Sequence, residues 1–341
     1  MAWPYAGYEL FAAFGVQPNA YTPVAPTIPF GVGPSPDLNN SANLESHYGY
    51  GDFIPQYLKA GAQESGGRLQ LQMLPSSAQL LQCGVRSYDG GSNPMVRVAD
   101  SGAYSNTELP WLTIGISNYQ QSRFGSGIQW SQMFVGCKLT DLSVSLQERE
   151  SITFSAGWLA LYGMSGADYQ EAIANMGVQA PIKWHESRFY LQPIGGSSDD
   201  WSAVTQAFSW NVRQTVEAVY GTGPWASMDD TASVPDFRDR CPKTLKETTQ
   251  EVSFNWQSRE MASGEDFVPD TRVALLPGFH LATQHWDSTA VAAHTTDSLA
   301  NIYLDNAKFS SFTQRSTAPN RTVVWSAPGT ASGARILLST P

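Results

Sequence analysis

Apolar and polar positions alternate most strictly between Val135 and Tyr162, which reads VGCKLTDLSVSLQERESITFSAGWLALY. Leu142, Val144 and Leu146 fall on one side of an extended chain, and Ser143, Ser145 and Gln147 on the other. That period of two predicts a half-buried strand. After the charged run Gln147-Glu148-Arg149-Glu150 the alternation resumes, with Ile152, Phe154, Ala156, Trp158 and Ala160 opposite Ser151, Thr153 and Ser155. The whole stretch therefore predicts a long antiparallel hairpin. Its polar side carries Ser and Thr with almost no Lys, whereas a solvated sheet face ordinarily mixes long charged side chains. The plain reading is the water-facing side of a β-sandwich; the sharper one is a wall whose lining is small, neutral and wet.

The same pattern marks further strands. In GRLQLQML (67–74), Leu69, Leu71 and Met73 oppose Gln70 and Gln72; Pro75 then ends the ladder, and 76–83 predicts a short helix capped by serine and closed by Gly84. WLTIGIS (111–117) predicts a strand leading into the hairpin. SGADYQEAIANM (165–176) predicts the clearest helix, opened by Ser165 with Asp168 and closed by Gly177. In the second half, 207–220 alternates with Trp210, Val212, Val216 and Ala218 on one face, and 251–257 with Val252, Phe254 and Trp256. Strands are expected again at 301–312, 321–325 and 334–338. The run Pro269–Gly278 mirrors Pro75–Gly84, and the repeated features lie roughly 170 to 190 positions apart, which predicts a diverged duplication.

Residues 1–45 differ from the rest. Seven prolines, from Pro4 to Pro36, predict an extended arm with neither a continuous helix nor a central strand. An arm of that length without its own core is either disordered or packed on another surface, and its aromatics, Tyr5, Tyr8, Phe11 and Phe14 among them, favour packing. The organisation expected is thus an arm over 1–45 and two domains over 46–178 and 179–341.

Composition narrows the function. Charged residues make up only 15% of the 341 and aromatics 12%, so a surface poor in charge is expected to be covered in part by other chains. The net charge of −10 divides evenly: residues 1–170 hold 7 Lys+Arg against 12 Asp+Glu, and residues 171–341 hold 13 against 18. No basic tail or stripe exists, which disfavours tight phosphate-neutralising DNA or RNA binding. Cys83, Cys137 and Cys241 fit neither a disulfide framework nor metal spacing and read as buried thiols in a reducing compartment. The first ten residues show no cationic-then-apolar leader, and no 18-residue apolar run occurs, so a soluble cytoplasmic product with no membrane partner is expected.

Candidate chemistry is sparse. The five histidines contain no HExxH pattern, and His280 and His285 are five apart, a poor spacing for one metal, so no metal site and no cofactor are expected. No G-x-S-x-G elbow occurs, and the acidic neighbours Asp199-Asp200, Asp229-Asp230 and Glu265-Asp266 read as loop carboxylates, so no catalytic residue is assigned. Trp158, Trp210 and Trp256 sit on apolar strand faces and read as core. Trp3, Trp111 and Trp225, beside prolines, are candidates for contacts between subunits.

With the hairpin and the duplication in view, the chain resembles the major tail tube protein of long-tailed bacteriophages, in the variety whose single chain carries two tube domains. The run Gly136-Cys137-Lys138-Leu139-Thr140-Asp141, continuing through Ile152-Thr153-Phe154-Ser155, is similar to that family's hairpin. Gly7-Tyr8-Glu9, Phe14-Gly15, Thr22-Pro23 and Ile28-Pro29-Phe30 resemble its opening arm, and Phe208-Ser209-Trp210-Asn211 a second-domain strand, which departs from the pattern at Arg213-Gln214. The resemblance implies a mainly β protein of two tandem β-sandwich domains, each giving a long hairpin to a shared inner barrel beside a short flanking helix. Three chains would close a pseudo-sixfold ring, and rings would stack into a virion tail tube, assembled in the host cytoplasm. About 24 strands at about 4.8 Å spacing make a backbone diameter on the order of 48 Å, enough to pass duplex DNA.

On that reading Ser143, Ser145, Gln147, Ser151, Thr153, Ser155, Glu251, Ser253 and Asn255 line the lumen, while Trp3, Tyr5, Tyr8, Phe11, Phe14 and Trp225 make contacts between subunits or rings. The partners implied are the chain itself, other tail proteins such as the tape measure and terminator, and double-stranded DNA in non-specific passage. The alternatives are a carbohydrate-binding or carbohydrate-cleaving β-sandwich and another virion protein of similar build.

Overall fold

In the computed structural model the chain is described over residues 10–47, 57–85, 108–122, 125–165, 181–193, 199–200, 202–221, 237–259, 279–286, 298–311, 313–315, 324–331 and 333–338. The first half supplies β1 (Leu10–Gln17), β2 (Ile28–Pro29), β3 (Val32–His47) and β4 (Tyr57–Gln72), then helix α1 (Gln79–Gly84), β5 (Trp111–Ser122), β6 (Gly125–Gln147), β7 (Thr153–Ala160) and β8 (Tyr162–Ser165). The second half supplies β9 (Ser187–Pro193), β10 (Asp199–Asp200), β11 (Thr205–Val219), β12 (Thr244–Arg259) and β13 (Phe279–Trp286). It ends with β14 (Ser298–Phe309), β15 (Thr313–Arg315), β16 (Val324–Ala331) and β17 (Gly333–Leu338). The fold is mainly β, with antiparallel pairing throughout and apolar faces packed together as in a β-sandwich.

The expected hairpin is β6 and β7, paired from Lys138↔Leu159 to Ser145↔Thr153. β6 also runs back into a second sheet, where Leu112↔Cys137 to Ser122↔Gly125 pair it with β5, and β8 takes its other side. The change of sheet falls at Gly136, whose φ is +62°; a Cβ there would lie 2.6 Å from Leu161 Cδ1 and 2.7 Å from the Ala20 carbonyl oxygen. Only glycine permits both the left-handed backbone and that approach. The Gly136 N–H is held by Gln17 Oε1 at 3.0 Å.

One broad sheet crosses both halves in the order β3, β4, β7, β6, β11, β12, β16, with β15 and the end of β14 sharing the eighth position. Each half adds a flanking sheet: β2, β1, β5, β6, β8 in the first and β10, β9, β13, β14, β17 in the second. Strand for strand, the first pairing scheme recurs in the second. A single apolar cluster runs between the sheets through both halves, from Phe14 and Leu69 by Trp158 and Trp210 to Trp256 and Phe309. Trp158, Trp210 and Trp256 are buried in it, as the alternation implies, and Phe189 stacks on Trp256 at 5.5 Å between centroids.

Several expectations need correction. Residues 10–17 are not part of a free arm: β1 lies between β2 and β5, in the proline-free window between Pro4 and Pro18. Phe11 and Phe14 are therefore buried in the chain's own core, Phe14 against Phe30 at 5.1 Å, and are not available to a neighbouring subunit. Pro34 and Pro36 fall within β3, which among the described residues pairs only with β4, as proline allows at a sheet edge. The short helix forms, but without a serine cap, and Gly84 is its last residue, packed so closely that a Cβ there would meet Leu142 at 2.5 Å. The helix expected at 165–176 and the Pro269–Gly278 run lie outside the described residues, apart from Ser165 itself, which ends β8.

A second cluster behind the junction of the halves joins Val135, Leu161 and Tyr162 to Cys241 and Leu245. Beside it the ammonium of Lys138, on β6, is ion-paired with the Glu247 carboxylate of β12, both side chains closed off from water. Trp111, expected at a subunit contact, lies under that ammonium at 4.1 Å from its ring centroid. The Leu109 N–H donates to the same carboxylate at 3.0 Å. Cys83, Cys137 and Cys241 are buried and form no disulfide.

Two outcomes follow from this packing. Lys138→Met leaves a buried carboxylate without its cation, and urea denaturation should show a loss of about 3–5 kcal/mol, more than half of it recovered when Glu247→Leu is added; a single-variant loss below about 1 kcal/mol would contradict the burial of the pair. Burial pushes the Cys83 thiol up to about 12 and the Cys137 thiol well above its usual value. At pH 8 neither should be alkylated by iodoacetamide until the chain unfolds, as mass spectrometry of native and denatured samples will read.

Candidate functional site

The polar side of the broad sheet is assembled by strand register. In one row Ser35 of β3 is followed by Gln70, Ser155, Ser143, Asn211, Ser253, Thr330 and Lys308, each opposite the next on the neighbouring strand. A second row runs Gln72, Thr153, Ser145, Ser209, Asn255 and Pro328. Eight strand positions at about 4.8 Å make this face roughly 34 Å across. Its side chains are half-buried or exposed, while the alternating partners Leu142, Val144, Phe154, Trp210, Val212 and Phe254 are buried on the other side.

Of the residues singled out from sequence, Ser143, Ser145, Gln147, Thr153, Ser155, Glu251, Ser253 and Asn255 are thus on one face of one sheet. Ser151 is not in β7. It bridges Lys183, whose ammonium donates to its hydroxyl at 2.7 Å, so that position is not neutral. Trp3, Tyr5, Tyr8 and Trp225 lie outside the described residues.

Sequence reasoning missed Ser35, Arg68, Ser209, Asn211, Arg213 and Thr330 as members of this face. The period-two signal was present in β11 and β4, but the adjacency of β11 to β6 joins residues about 65 positions apart in sequence, which no local pattern carries. The register also adds a third row of alternating sign: Asp37, Arg68, Gly157, Asp141, Arg213 and Glu251. Gly157 has no side chain to obstruct it, and Arg68 reaches across to Asp141 at 3.0 Å while its Nε donates to Ser155 Oγ at 2.9 Å. A Cβ at 157 would lie 2.1 Å from Asp141 Oδ1.

At the hairpin end a recess of about 440 Å³ opens among Ser145, Gln147, Arg149, Ser209, Asn255 and Arg259. Both of its cations share one carboxylate, Glu148, which is ion-paired with Arg259 and lies 3.8 Å from Arg149. The Glu148 N–H in turn donates to the Gln206 carbonyl at 2.9 Å, tying the tip to β11. Arg149 takes φ +70° in this turn, a conformation rare for a residue with a Cβ.

Among the described residues, no group of three His, Cys, Asp or Glu is placed to hold a metal ion, and no helix is long and apolar enough to cross a membrane. What the face can do is hydrogen-bond water broadly through short hydroxyls and amides, with the charges of its third row set in opposite-sign neighbours. It concentrates no positive charge.

No family model and no curated protein matches the sequence. Two solved structures resemble part of the fold. One is the SPP1 tail tube, at 10% identity over 47% of this chain and 81% of that chain, with a TM-score of 0.30. The other is the cap that terminates the anti-feeding prophage tube, at 13% identity over 49% of this chain and 94% of that chain, with a TM-score of 0.29. Neither likeness decides what this chain does.

Proposed function

We propose that this chain is a structural protein of a viral tail, with no catalysis, whose copies form stacked rings around a bore that DNA traverses during ejection. The observation that carries the reading is the broad sheet itself: eight strand positions, four from each half, with a continuous water-facing side, rich in short uncharged residues and crossed by one row of alternating charge, and a buried apolar side. Its two halves act as two tube domains. Three chains would then set about 24 strand positions around the bore, a closed annulus on the order of 48 Å across its backbone.

The chemistry of the face suits passage without capture. A polyanion is held by Lys and Arg that release its counterions. Here Ser143, Ser145, Ser155, Ser209 and Ser253 offer only weak, water-exchangeable contacts, and Arg68 is occupied by Asp141. Tape-measure and terminator proteins would meet the bore and the ring face, and assembly in a host cytoplasm would suit three buried cysteines that form no disulfide. Trp158, Trp210 and Trp256 are in the core and offer a carbohydrate no stacking platform.

Concentrated protein viewed by negative-stain microscopy should show rings or filaments with threefold repeat; dispersed single molecules at high concentration would sink the reading. Replacing Ser143, Ser145, Ser155 and Ser253 with Arg should leave tubes assembled but slow DNA release from reconstituted particles by tenfold or more, since each added phosphate contact strengthens the hold. Unchanged release from intact tubes would show that this side does not face the DNA.

A further inference from the structure

The broad sheet ends, among the described residues, on two open edges. β3 pairs only with β4, and at the other end β15 and the last residues of β14 pair only with β16. Because the pairing scheme recurs, these edges are counterparts of the two strands that already meet inside the molecule. Ladder for ladder, Ser35 and Gln70 stand where Asn211 and Ser253 stand, and Lys308 and Thr330 stand where Ser143 and Ser155 stand. Inside the chain Ser143 lies opposite Asn211.

We infer that two copies join β14 of one to β3 of the next, antiparallel, with Lys308 opposite Ser35, and that this seam is a weakened copy of the internal junction. The inference rests on the tube reading for its purpose, but its geometry comes from the repeated ladders. The junction is heterologous, one kind of edge meeting the other, so it propagates until a ring closes.

The weakening is carried by an interrupted ladder and three replacements. Internally β11 gives β6 seven consecutive pairs, from Ala207↔Gln147 to Arg213↔Asp141. At the seam β14 reaches only Phe309 in the broad sheet before the chain breaks to β15, so the matching ladder is interrupted. Pro36 stands in the place of Val212, with Pro34 two residues earlier, and proline lacks the N–H that a docking strand would accept from. Gln214, whose amide donates to the Gly84 carbonyl at 2.6 Å inside the junction, is replaced by Leu38, which has no donor. Arg213, opposite Asp141, is replaced by Asp37, which reverses the sign. The inner junction therefore holds at any concentration while the seam assembles only when molecules are numerous or templated, which keeps the edges from uncontrolled pairing.

The test uses the full chain with Ser35→Cys and Lys308→Cys. Mild oxidation should give covalent multimers on non-reducing gels, whereas Asn39→Cys with Lys308→Cys, four residues and about 13 Å out of register, should give none. Separately, Pro36→Val should lower the concentration for half-assembly, read by sedimentation, by roughly five- to tenfold through one recovered backbone hydrogen bond. Rings in the microscope with cross-linking only in the out-of-register pair would overturn the seam and leave the tube reading standing. In-register cross-linking with half-assembly unmoved by Pro36→Val would overturn the weakening. No self-association by any variant at high concentration would overturn both.

Discussion

The pairing of β6 with β11 is the constraint from which the rest of the molecule follows. Seven residue pairs make the two halves one sheet, so the halves cannot separate without stripping a ladder of backbone hydrogen bonds. The same pairs bring Leu142, Val144 and Leu146 beside Phe208, Trp210 and Val212, so the apolar core is continuous across the junction. Register is fixed as a consequence: a slip of one residue would put Trp210 in water and Ser209 in the core.

Two polar contacts pin that junction from behind. The Gln214 amide reaches the Gly84 carbonyl, and Lys138 pairs with Glu247 beside the Trp111 ring. A buried ion pair is a poor source of net stability, since desolvation offsets most of its attraction. Its effect is selective: any other placement of β12 against β6 would strand one charge away from water. Gly136 has a complementary part, because its left-handed turn lets one strand serve two sheets and so places Lys138 on the inner side of the bend.

The polar face owes its composition to the same geometry. Where eight strands stand side by side, short hydroxyls and amides can occupy adjacent rows without crowding, and five charged residues fall in one row of alternating sign, apart from Lys308 at the end of the first row and the group at the hairpin tip. Gly157 shows how tightly that row is set, since its missing side chain is the space through which Arg68 reaches Asp141. As the wall of a conduit, such a surface keeps a layer of water and presents no cluster of cations.

The alternation by itself determined the β6–β7 hairpin, the main parts of β4, β5, β11 and β12, the burial of three tryptophans, and which side of each strand is wet, because burial on one face of a strand imposes a period of two that any reader of the chain can see. It did not reveal β1 or β3, because prolines mask the pattern: β1 fits between two of them, and β3 tolerates two because, among the described residues, no strand of the same chain pairs with its outer edge. Nor could it place Phe14 in the core, pair Lys138 with Glu247, or line up Ser155, Ser143, Asn211 and Ser253 in one row. Those belong to the tertiary structure alone, because strand order and register are set by contacts between residues far apart in the chain, and side-chain periodicity says which way a residue faces but not which strand lies beside it.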